Sequence, residues 1–408
     1  MNRDVVVSGL GAVAPHGDDP QALFEALMAG RSAVREFAGD TPRPAAVAAA
    51  AFDGTRWFTK LQLPGVDRVS QLAVAAAELA LADAGGLGDA DRERVGVYVG
   101  CGMGGATALE AAYRTGLAAG GRVPPLTVPA FMPNAAAGHI AMRQRVLGPV
   151  LTYSVACASS AVAIAEAAKA VQRGEVDVAI AGGTEALLVP GVVSAWQAMQ
   201  TLASFTPGDA DSAARACRPF AADRSGFVLG EGAACLVLEP AERARARGRA
   251  AYARMAGWGL SCDATHLTKP DAAGQQRALR AALAMAGLAP AEVGYCNAHG
   301  TATRVGDPVE AEALRGLWGD AIGSLQVSST KALHGHLLGA AGALEALITV
   351  LAVARRQLPP NAPGAVADPA LGLRLVADAG AEAPALEAAI SNSFAFGGTN
   401  ATLLFRRA

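Results

Sequence analysis

The chain has 408 residues, 52% of them hydrophobic and 17% charged, with a formal net charge of −2. That much apolar material builds a large core, as one big domain or as two fused halves. The near-neutral balance excludes a global field that would gather nucleic acid or an anionic membrane.

In chain order, residues 4–10 (DVVVSGL) read as a short buried strand ending in glycine, and residues 20–29 as a helix. Residues 38–56 are rich in Ala, Pro and Gly without a clear period, and are expected to form surface loop. Residues 67–85 have helical periodicity, which Gly85 and Gly86 end. RVGVYVG and LTYSVAC read as strands, and ASSAVAIAEAAKAVQRG as a helix closed by Gly174. VDVAIAGG is again a strand.

A polar helical stretch, Glu239–Tyr252, is the expected boundary between two halves, 1–245 and 246–408. The second half repeats the theme, with strands at VGYCNAHG and LQVSSTK, a long helix over 337–357 and a late strand at EAAISNSFAF. Strands alternating with helices argue for an α/β protein, and two similar halves fit an internal duplication. The apolar run Leu337–Ala354 approaches a membrane span in length, but Glu345 and two glycines interrupt it, so a buried core helix is expected. The N-terminus reads as no secretory signal. The six cysteines (101, 157, 217, 235, 262 and 296) form no CxxC pair, so reduced thiols in a cytoplasmic protein are expected.

Four motifs carry chemistry. In TYSVACASSAVAIAEAAKA a strand runs into Cys157 and a helix starts just after it, which sets the thiol where unpaired N–H groups stabilise a thiolate. The alternative is a small buried cysteine packing as a hydrophobe. In NAHGTATRVGDPVEAEAL, His299 follows a strand and precedes a Gly-Thr turn bearing Thr301 and Thr303; the alternative is a core histidine bonded to backbone. SSTKALHGHLLGAAGALEAL clusters Lys331, His334 and His336; a buried Lys331 needs a partner, and Glu345 is the nearest in sequence. No further ligands stand at metal spacing. In SNSFAFGGTNATLLF two glycines follow Phe396, as a mobile or strained turn or a plain β-turn. A GxGxxG at Gly100–Gly105 lacks the acidic residue a dinucleotide fingerprint wants about twenty positions on, so its glycines read as tight packing.

Together these motifs, with VVVSGLGAVAP, MPNAAAGHIA (132–141) and RPFAADRSGFVLGEGAA (218–234), resemble the elongating β-ketoacyl-ACP synthases, the ketosynthases of the thiolase superfamily. The resemblance implies a thiolase-like fold of internally duplicated αβαβα halves. It implies a catalytic set of Cys157, His299, His336, Lys331 and Glu345, with His334 outside the pattern. The implied reaction is a decarboxylative Claisen condensation of an acyl-Cys157 thioester with malonyl-ACP, in fatty-acid or specialised polyketide or polyene synthesis. Backbone amides of Cys157 and Phe396 would bind the oxyanion, and the two histidines the enolate. By the same resemblance Phe396 is a gating ring, Thr301 and Thr303 hold the pantetheine arm, His266 and Thr268 belong to a pocket loop, and Met103 and Trp196 line the acyl tunnel. The protein itself is implied to need no metal or redox cofactor, the phosphopantetheine being carried on the acyl carrier protein. The implied partners are that carrier, in acyl- and malonyl-loaded forms, and a second ketosynthase-like subunit in a homodimer or heterodimer. Two departures stand out: only Lys60 and Arg68 remain of a basic docking cluster, and Gln200 stands where an Arg is often found. A non-catalytic, chain-length-factor-like partner is the alternative reading.

Overall fold

The computed structural model describes residues 3–408. Eleven strands form one mixed sheet. The first half supplies β1 (Val5–Val13), β2 (Val95–Gly100), β3 (Val150–Tyr153), β4 (Val178–Glu185) and β5 (Gly232–Pro240). The second supplies β6 (Ala253–Cys262), β7 (Tyr295–Asn297), β8 (Gln326–Ser328), β9 (Arg374–Leu375), β10 (Ala388–Phe394) and β11 (Thr399–Arg406). The spatial order is β9-β8-β7-β10-β11-β6-β1-β5-β4-β2-β3.

Numbered within its own half, each set of five strands runs 1-5-4-2-3, with the two-residue edge strand β9 appended to the second. The polarity also repeats. In both halves the first two neighbouring pairs are antiparallel and the next two parallel. The halves join where β1 meets β6 through only two residue pairs, Val6 with Arg254 and Val7 with Ala253.

Two helices lie at the centre: α2 (Ser159–Arg173) and α5 (Ala341–Arg355). They share one apolar cluster with strand residues of both halves, including Leu236 and Leu238 from β5 and Leu403 and Phe405 from β11. α1 (Arg68–Asp83) covers the outer face of the first half, and α3 (Ala272–Ala286) and α4 (Gly306–Trp318) that of the second. The result is five layers, αβαβα. A helix buried on all sides carries apolar residues all round. This explains the membrane-length run: Leu338–Arg355 is 89% buried inside the protein.

Several elements differ from expectation. Residues 38–56 are not all surface loop, because Ala46–Ala48 is a buried strand joining Arg35–Glu36 and Leu229–Gly230 in a small second sheet. Its three residues are too short to show a period. The stretch at 239–252 holds one short helix, Ala241–Ala246. The long helix expected over 337–357 starts as a tight 3₁₀ turn, Leu338–Ala340.

Candidate active site

The strand before Cys157 stops at Tyr153 and yields to a turn in which Ala156 takes φ +48°, a left-handed conformation that costs a residue bearing a Cβ. Ser159 holds the turn: its hydroxyl accepts from Val155 N–H at 2.9 Å and donates to the Ala156 carbonyl at 2.6 Å. α2 begins at that serine, so Cys157 sits at the N-terminal end of the central helix. Gly100 packs there. A Cβ on it would run into the backbone of Ser159 and Ser160, so the first glycine of the GxGxxG stretch serves close packing.

His336 comes from the other half. Its backbone is clamped between Val228 O (2.7 Å) and Gly230 N (2.9 Å), and its Nε2 lies 3.0 Å from Cys157 Sγ. His299 follows β7. Its N–H and that of Gly300 donate to the two oxygens of Glu310 on α4, at 2.9 and 2.7 Å. The two imidazoles meet edge to face, centroids 5.5 Å apart. Behind them Lys331 and Glu345 are fully buried and form an ion pair. His334 is a satisfied core residue, bonded to Gly335 O and Thr330 Oγ1 at 2.7 and 2.9 Å.

Burial pushes the Cys157 thiol up to about 12; Lys331 pulls it down, while Glu345 and Glu185 add to the rise. Desolvation, then the Lys331 charge, holds His299 and His336 well below the usual imidazole range. The Glu345 carboxyl is raised to about 7 by burial against the pull of Lys331. At neutral pH the site therefore holds a thiol and two neutral imidazoles. Dehydration of the sulfur thus works against the stabilisation that the helix end and Lys331 give a thiolate. The nearest base is His336 Nε2.

One ligand atom from each of Cys157, His299 and His336 lies within 4.8 Å of the others, a set that a soft cation could join. Metal-bound histidines are normally oriented through their second nitrogen. Here both Nδ1 atoms are buried without a partner among the described residues. The buried ammonium of Lys331 also stands close behind. The set suits proton and hydrogen-bond traffic better than a resident metal.

The site opens into a cavity of about 1090 Å³. Cys157, His299, His336, Phe396, Thr301, Thr303, His266, Thr268 and Trp196 all line it. Thr303 Oγ1 accepts from Gly306 N–H at 3.0 Å, so it also caps α4. His266 and Thr268 are exposed and bonded to each other at 3.1 Å. The Trp196 ring stacks near Phe396, centroids 6.3 Å apart, and meets Phe227 edge-on at 5.3 Å. Gly397 and Gly398 follow Phe396 with φ of +88° and +74°. Met103 is the exception. It is 56% exposed and does not line the cavity of the single chain; its backbone N–H donates to Glu185.

Glu185 and Glu310 are site residues that motif reading missed. Fully buried at the end of β4, Glu185 accepts from Gly102 N (2.8 Å), Met103 N (3.2 Å) and Gly339 N (3.0 Å). It thereby joins the glycine loop to the turn just after His336. A Cβ on Gly102 or Gly339 would strike its carboxylate. Glu310 anchors His299 and takes a further bond from Asn392 at 3.2 Å. The available signal was an acid directly ending the apolar strand VAIAGGT, and acids on the buried face of α4.

A thiol at a central helix end in one half, two histidines from the other, and a repeated 1-5-4-2-3 sheet define a thiolase-like condensing enzyme. The chain belongs to the β-ketoacyl synthases: the profile for "Beta-ketoacyl synthase, N-terminal domain" matches residues 2–244, and that for "Beta-ketoacyl synthase, C-terminal domain" matches 252–364. It is 41% identical over 414 residues to Nodulation protein E of Rhizobium meliloti (strain 1021), with all of both chains covered. It is 37% identical over 417 residues to 3-oxoacyl-[acyl-carrier-protein] synthase 2 of Staphylococcus aureus (strain N315), covering 100% of this chain and 99% of that one. A solved structure described as the ishigamide ketosynthase/chain length factor is 32% identical, with a TM-score of 0.91 and full coverage of both chains.

Proposed function

We propose that Cys157 carries the growing acyl group and that His299 and His336 stabilise the enolate of malonyl-ACP, so that the chain makes β-ketoacyl-ACP by decarboxylative condensation. The observation that carries this reading is the 3.0 Å contact of His336 Nε2 with Cys157 Sγ beside His299, on a cavity wide enough for a carrier's arm and acyl chain. In the first step the sulfur attacks the acyl thioester. Its proton passes through His336 to the departing pantetheine thiol, so the bond exchange is balanced. The Phe396 N–H, unpaired among the described residues, is available to the oxyanion. In the second step the malonyl carboxylate leaves as CO₂. The enolate oxygen accepts hydrogen bonds from the two neutral imidazoles, and the carbanion attacks the acyl carbon. The Cys157 thiolate departs and takes up one proton. Lys331, paired with Glu345, holds the field around His336. No step calls for a metal or redox cofactor; the phosphopantetheine arrives on the carrier.

A retained thiol and both histidines weigh against a non-catalytic chain-length-factor role. Strand β3 is the outer edge of the sheet, and Val150 and Leu151 on it are exposed. We take this edge as the face for a second synthase-like subunit, with the protein working in the cytoplasm. The test is intact mass after incubation with acyl-carrier thioesters. Wild type gains one acyl group and Cys157→Ala gains none. Absence of acylation with every acyl group tried, alone and with partner subunits, would overturn catalysis by this chain.

A further inference from the structure

The cavity mouth carries three cations, Arg43, Lys269 and Arg304, all exposed. Among the described residues none is within ion-pair reach of a carboxylate. Among the described residues the Arg43 guanidinium donates only to the Gln197 carbonyl, at 2.7 Å. The acids lining the same cavity are Asp263 and Glu310, both buried and engaged with neighbouring amides. On a chain of net charge −2, this rim is a local concentration of unneutralised positive charge. By contrast, Arg68 is occupied: its guanidinium grips the buried Glu231 through two bonds, at 3.0 and 2.7 Å. An anion approaching the cavity therefore meets its free cations at the mouth, not at Arg68.

We propose that Lys269 and Arg304 bind the phosphodiester that joins the carrier's pantetheine arm to the carrier protein. The inference rests on the condensing function above. Cys157 lines the cavity beside the buried His336, whereas Lys269 and Arg304 line it where it is exposed, so an arm delivering a thioester to the sulfur leaves its phosphate toward these cations. The singly charged phosphodiester offers two anionic oxygens, to which a flexible ammonium and a planar guanidinium form charge-assisted hydrogen bonds. These cations should speed loading of the arm at low ionic strength and lose that effect as salt screens them.

The test compares octanoyl-phosphopantetheine with octanoyl-pantetheine, which lacks the phosphate, as donors to Cys157, read by intact mass. In wild type at low salt the phosphate-bearing donor should acylate faster by roughly tenfold. In Lys269→Ala/Arg304→Ala the ratio of the two rates should fall to about one. A wild-type ratio near one, or a ratio the double variant preserves, overturns the proposal. So does a variant slow only with octanoyl carrier protein, which would assign the cations to the carrier's own acidic surface. If neither donor labels Cys157 in wild type, the condensing function itself fails, and that result is distinct from the others.

Discussion

At the residue scale, reactivity turns on a sulfur whose proton is held by dehydration. Alkylation of Cys157 by iodoacetamide should rise about tenfold per pH unit from 7 to 9 without a plateau, because only thiolate reacts and the thiol lies near 12. Removing the opposing charge with Lys331→Met should slow the reaction at each pH. A plateau below pH 8 would contradict this electrostatic picture. The Lys331–Glu345 pair also permits a separation of stability from activity. Breaking it on one side leaves a charge buried, which costs about 3–5 kcal/mol. Lys331→Met should therefore unfold at lower denaturant, and Lys331→Met/Glu345→Leu should recover much of the loss while staying inactive in condensation. A double variant that regains activity would show the pair to be scaffold alone.

At the scale of elements, the turns matter more than the strands they join. The Glu185 carboxylate bonds two segments that flank Cys157 and is raised to about 7 by burial. Its folded value lies above the usual carboxylate value, so the folded state holds the proton more tightly. The stability it contributes is present at low pH and is lost as pH rises toward and through 7. Glu185→Gln should flatten the fall in melting temperature between pH 5 and 8 by a few °C and slow condensation; an unchanged slope would remove Glu185 from the balance. This residue also shows where sequence reading ran out. Cys157, the paired histidines and the Lys331–Glu345 couple were legible because each stands in a dense local motif. The bonds of Glu185 reach residues 82 to 154 positions away, and no spacing announces them. The short strand Ala46–Ala48 was hidden for the same reason, since its partners, Arg35–Glu36 and Leu229–Gly230, lie elsewhere in the chain. Met103, placed in the tunnel by resemblance, is exposed on the single chain, on the loop whose backbone Glu185 holds.

At the scale of the whole molecule, the sheet ends in two edge strands, the two-residue β9 and the longer β3. Strand β3 presents unpaired backbone groups together with Leu151, and Met142 and Leu147, exposed by 69% and 70%, lie just before it in sequence. Exposed apolar edges of this kind are usually covered. Light scattering should give a particle of twice the 41.0 kDa chain mass, or a complex with a second synthase-like subunit. Leu147→Asp/Leu151→Lys should return it to a single chain. A wild-type protein that stays at one chain mass with every such subunit would rule out this face as an interface.

The repeated sheet also has a consequence in time. β1 is made first, yet its neighbours are β5 and β6, which begin at Gly232 and Ala253. At about 5–20 residues per second of synthesis, that strand waits roughly 10–50 s for a partner. His336 emerges later still. The nascent chain thus carries a bare apolar strand long before it carries an active site, and the cell must shield the first segment of the protein until the middle has been built.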